Sequence, residues 1–257
     1  MAIQVTSYGE TNVGRKRAHN EDNFLSFPER MLFVVADGMG GHGYGEVASQ
    51  MVVETMRKFY DHSLGNEDAT WPNRDERGRT LSENMLNAGF RYSNYAIWER
   101  GHSDAKYKNM GTTVVGIHFD NGEVAVAHIG DSRVYRLRAG ELVQLTEDHS
   151  LLNDYKKMAV LTPEEEENFP HKNIIVRACG LKDEVLVDVM HESPQVGDVY
   201  MLCSDGLNGE LTNPQIRDIM AKHNGDVTGM AQQLIKDACD AGGKDNVTAL
   251  CVRVDAL

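Results

Sequence analysis

Alternation of apolar and polar positions is clearest between Thr112 and Ile129. Thr112 to Asp120 and Glu123 to Ile129 both follow a period of two, and Asn121-Gly122 between them signals a hairpin turn. A two-residue turn sets Val115, Ile117 and Phe119 on one face with Val124, Val126 and His128, so His128 reads as a satisfied core histidine rather than a ligand. Ser132 to Arg138 and Glu141 to Leu145 extend the pattern as a meander, which predicts an antiparallel sheet. Further strands are expected at Ile3 to Tyr8, Asn23 to Phe27, Met31 to Ala36, Val185 to His191, Val199 to Cys203 and Val247 to Val254. A period of 3.6 appears elsewhere. From Glu46, a helix places Val47, Met51, Val52, Met56 and Phe59 on one face; a second places Leu81, Met85, Ala88, Tyr92 and Tyr95 together. Pro214 to His223 and Val227 to Ala241 predict two more, with short helices near Leu151 to Met158 and Pro163 to Asn168. The polar stretch His62 to Arg79, which holds Pro72, reads as a surface loop.

The chain is organised around Met31 to Gly45. Its apolar run ends abruptly at Asp37 and the glycines Gly38, Gly40, Gly41, Gly43 and Gly45, as a buried strand delivering an acid to a site would. Gly38, Gly40 and Gly43 also fit the dinucleotide-binding spacing G-x-G-x-x-G. That motif needs a second strand ending in an acid for the ribose, and no apolar run follows the helix to make one. An acid directly before the first glycine would also face the pyrophosphate, so nucleotide binding ranks third among the readings.

At 257 residues and 41% hydrophobic, the chain can build a large core without staples. Cys179, Cys203, Cys239 and Cys251 show no paired spacing and read as reduced, mostly buried thiols. A net charge of -13 disfavours nucleic acid and anionic membranes and suits a carboxylate-rich site. Met1 to Arg30 is polar, and no run approaches the ~18 apolar residues of a membrane span, so a soluble, cytoplasmic protein is expected.

Three acids end or flank buried strands in the same way: Asp37 in VVADG, Asp131 in HIGDS and Asp205 in LCSDG. Asp245, in KDNVT, begins a strand, and Asn20-Glu21-Asp22 follows the basic patch Arg15-Lys16-Arg17. One Asp-Gly after a strand is commonly just a turn. Several strand ends along one edge would make these carboxylates converge, and like charges at such distances do not all ionise without cations between them. Oxygen ligands without a His or Cys cluster select hard ions, Mg²⁺ or Mn²⁺.

Arg17 to Asp22 as R-x-x-N-E-D, Asp37 to Gly41 as DGMGG, Asp131 to Arg133 within GDSR, Ser204 to Gly206 as SDG and Asp245-Asn246 as DN occur in that order. In this the chain resembles the metal-dependent protein serine/threonine phosphatases of the PP2C (PPM) family in their bacterial form, over nearly its whole length. The resemblance implies an α+β fold, a four-layer αββα sandwich of two central antiparallel sheets flanked by helices, as a single domain over residues 1–257. It implies that Asp37 bridges two metals, with the Gly38 carbonyl as a further ligand. Asp205 and Asp245 would hold the second metal, Glu21 and Asp22 would bind metal directly or through water, and Asp131 with Asp205 would form a third, weaker site. Arg17 would hold the substrate phosphate. The implied cofactors are two Mn²⁺ or Mg²⁺ ions, with a third at the weaker site, and the implied reaction is attack of a water bridging two ions on phosphorus. The implied partners are phosphorylated proteins, including an opposing serine/threonine kinase. The alternative from another class is a pseudophosphatase that binds metal and acts as an interaction module; every expected ligand position is filled, which disfavours it.

Two departures from the family bear on mechanism. Many eukaryotic members carry histidine, a proposed general acid, where this chain has Met39, so leaving-group protonation is expected from metal-bound water or another group, with His42 one candidate although a histidine in a glycine loop is more often merely exposed. The segment Leu151 to Ile175 matches the mobile flap of bacterial members, placing the flap at about residues 150–176. Here it carries four consecutive glutamates, Glu164 to Glu167, expected to disfavour acidic substrates.

Overall fold

The computed structural model describes residues 3–40, 44–64, 70, 78–170, 174–223 and 225–257. The main elements in chain order are β1 (Gln4–Asn12), β2 (Asp22–Phe27), β3 (Leu32–Met39), α1 (Gly45–Ser63), α2 (Leu81–Ser103), β4 (Gly111–Thr112), β5 (Val114–Asp120), β6 (Glu123–Ile129), β7 (Arg133–Arg138) and β8 (Glu141–Gln144). They continue with α3 (Leu151–Lys156), α4 (Pro163–Glu167), β9 (Asp188–Glu192), β10 (Val199–Cys203), α5 (Asp205–Asn208), α6 (Asn213–His223), α7 (Val227–Ala241) and β11 (Val247–Ala256). The greater part of the expected loop from His62 to Arg79, with Pro72, lies outside the described residues.

Two antiparallel sheets face each other. One has the order β1-β11-β10-β7-β8, and the other β2-β3-β5-β6-β9, with β4 beside β3. Between them lies an apolar layer with Phe33, Val35, Val115, Ile117 and Phe119 from one side and Tyr200, Leu202, Leu250 and Val252 from the other. Edge-to-face rings knit the layer, Phe33 to Phe119 at 6.2 Å and Phe119 to Tyr200 at 5.5 Å between centroids. Each large side chain of this kind contributes about 2–3 kcal/mol through burial. Helices α1 and α2 cover the second sheet, while α6 and α7 cover the first. The four layers are helix, sheet, sheet and helix.

The hairpin forms in the expected register, with Val115 opposite His128, Ile117 opposite Val126 and Phe119 opposite Val124. Its turn residues take φ of 50° at Asn121 and 81° at Gly122, the left-handed pair that a two-residue hairpin turn requires. The meander does not continue. Strand β7 pairs with β10 and β8 in the opposite sheet, so the chain crosses between sheets at Gly130, Asp131 and Ser132. Period-two patterning states that a strand is half-buried and leaves open which sheet receives it.

The second helix also differs from its expected face. Met85, Leu86, Phe90 and Ile97 are buried, whereas Leu81, Tyr92 and Tyr95 are exposed. Tyr95 and Tyr92 are amphipathic rings that sit at the margin of the packed stripe, which makes them poor markers of its centre. All four cysteines are buried and free.

His118, in β5, points away from the inter-sheet layer and under α1, where Tyr60 packs edge-on at 4.9 Å between ring centroids. It is buried, its Nδ1 has no hydrogen-bond partner, and burial holds its pKa down at about 4. The folded protein therefore resists a proton that the unfolded chain accepts near pH 6.5, and stability falls as pH drops through that window. Replacing His118 with Leu should make stability at pH 5 relative to pH 7 about 2 kcal/mol more favourable than in wild type, measured by urea unfolding. An unchanged pH dependence would show that His118 is not the group responsible.

Candidate metal centre

Strand pairing brings the acids together. Asp22 in β2 lies directly opposite Asp37 in β3. Asp205 opens α5 immediately after β10, Asp245 precedes β11, and Asp131 lies on the crossing between sheets. Residues from the two sheets thus meet at one edge of the sandwich. Asp22 shows the join: its Oδ2 accepts from Ser204 Oγ at 2.7 Å and Thr248 Oγ1 at 2.6 Å, both from the opposite sheet region.

Two close backbone approaches depend on glycine. A Cβ on Gly38 would lie 2.1 Å from the Gly45 carbonyl oxygen, and one on Gly206 would lie 2.0 Å from the carbonyl oxygen of Asn246. The start of α1 therefore rests on Gly38, whose amide donates to the Glu21 carbonyl at 3.1 Å. Asn246 secures the other side. Its side-chain amide donates to the carbonyls of Val13 (3.0 Å) and His19 (2.9 Å), and its Oδ1 accepts from the Glu21 amide at 2.8 Å. Arg17, on the loop so fastened, donates from Nη2 to Asp245 Oδ2 at 2.6 Å.

The carboxyl groups are crowded, with Asp22 and Asp131 buried and Asp37, Asp205, Glu21 and Asp245 half-buried. Burial raises the pKa of Asp22 to about 6, against the opposing hydroxyls of Thr248 and Ser204. Burial, followed by the charges of Asp205 and Asp148, raises Asp131 to about 7. Asp37 is pushed well above the usual carboxylate range, first by burial and then by Asp22, Asp205, Asp131 and Asp245. Asp205 rises through burial and Asp245, and Glu21 through burial and the nearby Glu46. Oδ1 of Asp22 and Oδ1 of Asp131 are buried without a hydrogen-bond partner. Unpaired carboxylate oxygens among mutually repelling acids fit divalent cations, whose charge would relieve both conditions.

The structure therefore assembles Glu21, Asp22, Asp37, Gly38, Asp131, Asp205 and Asp245, with Arg17 at the rim against Asp245. His42 lies outside the described residues, as do Gly41 and Gly43. Sequence reasoning missed the hydroxyls of Ser204 and Thr248 and the fastening role of Asn246. Ser204 directly precedes Asp205 and Thr248 lies two residues beyond Asn246, but only the spatial pairing of three strands shows that both face Asp22.

A second group, His128, His149 and Asp188, places one ligand-type atom from each within 4.8 Å of the others. Its proton inventory opposes metal binding. The Gly130 amide donates to His149 Nδ1 at 2.9 Å, which leaves the ring proton of the neutral imidazole on Nε2. Nε2 is 3.3 Å from Asp188 Oδ2, and Arg177 Nη1 also donates to Asp188. A guanidinium already supplies the cation. His128, expected to be a satisfied core residue, is buried with Nε2 2.8 Å from the Glu147 carbonyl oxygen.

The geometry defines a two-sheet sandwich with carboxylates of the kind that suits hard divalent ions gathered at one edge. Residues 11–241 match the family model described as protein phosphatase 2C. Protein phosphatase PhpP of Streptococcus pneumoniae is 35% identical over 250 residues, spanning 95% of this chain and 96% of PhpP. Serine/threonine phosphatase stp of Listeria monocytogenes is 34% identical over 252 residues, 95% of this chain and 94% of stp. Among solved structures, the Mycobacterium tuberculosis serine/threonine phosphatase PstP/Ppp aligns with a TM-score of 0.85 at 32% identity, covering 99% of this chain and 100% of that one. The catalytic domain of PstP in complex with two manganese ions aligns with a TM-score of 0.82 at 30% identity, with 99% and 100% covered. The chain belongs to the protein phosphatase 2C family.

Proposed function

We propose that the protein is a Mn²⁺- or Mg²⁺-dependent serine/threonine phosphatase acting on phosphorylated proteins. The convergence of buried, partly unpaired carboxylates from both sheets on one edge carries this reading. In it, Asp37 and the Gly38 carbonyl would help hold two metal ions, Asp205 and Asp245 would serve the second, and Glu21 and Asp22 would bind directly or through water. Asp131 and Asp205 would provide a third, weaker position. When bound, the ions supply the acidity that makes water a nucleophile near neutral pH and offset charge on the phosphoryl oxygens. Ser204 and Thr248 keep Asp22 oriented. Arg17 exchanges Asp245 for the substrate phosphate, a bidentate partner suited to its planar guanidinium. His42 serves as proton donor to the leaving group in place of the histidine that Met39 replaces.

The test is phosphate release from a phosphothreonine peptide by metal-stripped protein, with and without Mn²⁺, beside Asp205→Ala. Mn²⁺-dependent release that falls about 10³-fold in the variant is the expected result. Silence with Mn²⁺ shown to bind would replace the reading with a pseudophosphatase. In the same assay His42→Ala should lose more turnover on the peptide than on p-nitrophenyl phosphate, and equal losses would remove His42 from the proton transfer.

The domain reading adds that residues 1–257 act as one unit and that about 150–176 form a substrate-selecting flap. Thr162 and Glu165 cap α4 reciprocally, and Lys156 pairs with Glu166 at 2.8 Å, so part of the flap's acidity is engaged locally. Replacing Glu164 to Glu167 with Gln should narrow the preference for basic over acidic phosphopeptides by several-fold. An unchanged preference would end that assignment. Among the described residues no helix is long and apolar enough to cross a membrane. An opposing serine/threonine kinase among the substrates and a cytoplasmic setting complete the proposal.

A further inference from the structure

The flap is joined to the rest of the chain by a narrow neck. Ser150 and Ile175 form an antiparallel bridge, with the Leu151 amide donating to the Ile174 carbonyl at 2.9 Å. One step outside this bridge stands His149. Its carbonyl accepts from the Val176 amide at 2.9 Å, which binds the two sides of the neck to each other. Its own amide donates to the Gly130 carbonyl at 2.9 Å, and its Nδ1 accepts from the Gly130 amide at 2.9 Å. Both backbone groups of Gly130 are thus held by a single residue. Gly130 has φ of 108°, and a Cβ there would collide with Thr113 at 2.7 Å, so the conformation of the turn into Asp131 is tightly specified.

His149 is held in turn. Its ring stacks on His128 at 4.4 Å, and Nε2 approaches Asp188 Oδ2 at 3.3 Å. Arg177, on the return side of the neck, donates to the other oxygen of Asp188. The 2.9 Å approach of Arg177 Nη1 to His149 Nε2 sets two donors side by side, and their shared acceptor is the Asp188 carboxylate. Asp188 lies on the edge strand β9, so residues flanking both sides of the neck are fastened to the sheet at one point. Burial, with the neighbouring His128 and Arg177, lowers the His149 pKa to about 4, which keeps Nδ1 free to accept at neutral pH.

We propose that His149, anchored by Asp188, is a positioning residue that couples the neck of the flap to the Gly130 turn carrying Asp131. Closure of the neck and occupation of the weaker metal position would then favour each other equally, as linkage requires. The metal half of this inference rests on the phosphatase reading, and the mechanical half does not.

Asp188→Asn tests it by turning one of the two acceptor atoms into a donor at a half-exposed position, and His149→Gln by removing the ring. Amide exchange is followed by NMR in metal-free protein. In both variants the Gly130 and Val176 amides should exchange at least tenfold faster, while Tyr200 and Leu202 in β10 keep their protection and report an intact fold. Titration with Mn²⁺ alone should show the weaker site losing several-fold in affinity and the tighter sites unchanged. Faster exchange at Val176 with Gly130 unaffected would reduce Asp188 to an anchor of the flap and overturn the coupling. Coupled exchange with unaltered Mn²⁺ binding would overturn the link to the metal while leaving the phosphatase reading standing.

Discussion

Asp37→Asn should lower Mn²⁺-dependent phosphate release by about 10³-fold or more and, in metal-free protein, raise the unfolding midpoint. The two effects have opposite signs because they arise from the same charge. Asp37 is the carboxyl group on which burial and the charges of Asp22, Asp205, Asp131 and Asp245 all bear. On the proposed reading its negative charge would help hold the ions, and an amide oxygen of similar shape would replace it poorly; a 10³-fold loss corresponds to about 4 kcal/mol of transition-state stabilisation. Without ions, the same half-buried charge lies among its own kind. A carboxyl whose folded pKa exceeds its unfolded value binds protons preferentially in the folded state, so it lowers stability as pH rises through and above that range. In metal-free protein the carboxyl groups should accordingly contribute stability on mild acidification from pH 7, where Asp131 (about 7) and Asp22 (about 6) also take up protons, against the loss at His118, and stability at pH 5 relative to pH 8 should be less favourable in Asp37→Asn than in wild type. Urea unfolding in EDTA across pH 5 to 8 reads it directly. A lower midpoint in the variant would mean that Asp37 contributes structure rather than stored repulsion.

Gly206→Ala should destabilise the protein by about 2–4 kcal/mol, at or above the usual range for overpacking. The added methyl would meet the Asn246 carbonyl oxygen at 2.0 Å and the Asp245 Cβ at 3.2 Å. Neither neighbour is the free end of a long side chain. The Asn246 backbone is pinned by its own side chain, which reaches Val13, His19 and Glu21. Relief must come from moving α5, with Asp205 at its start, away from Asp245. Chemical denaturation should therefore show the loss in EDTA, and calorimetry with Mn²⁺ should show weaker binding as well. Stability and metal affinity both unchanged would indicate that the two loops slide apart freely.

Much of the fold was legible because its signals are local. Asn121-Gly122 between two alternating runs specified a hairpin, and the structure reproduces it residue by residue. The outer helices were equally plain where a stripe of aliphatic residues marks the face, as in Val227 to Ala241. Tyr92 and Tyr95 misled because a ring with a polar tip satisfies the helical period from the edge of the packed stripe as well as from its middle. Which sheet receives β7 was not legible at all, since it is decided by how Gly130 to Ser132 traverse the sandwich. The acids that the sheets bring to one edge stand in ordered motifs and were legible there. Their supports were not: Ser204, Thr248 and Asn246 are ordinary residue types, given meaning only by strands that meet from distant parts of the chain.

That meeting sets a schedule. Strand β11 pairs with β1 on one side and β10 on the other, and it brings Thr248 to Asp22 across more than two hundred residues of intervening chain. The loop carrying Arg17 is likewise fastened by Asn246. On a ribosome, then, the segments holding Glu21, Asp22 and Asp37 emerge first and wait, unfinished, for the segment that completes them. Contacts so distant in sequence form late and slowly. A nascent chain cannot assemble the centre until β11 has left the exit tunnel, so hydrolytic competence arrives only once that strand is in place rather than growing along the way.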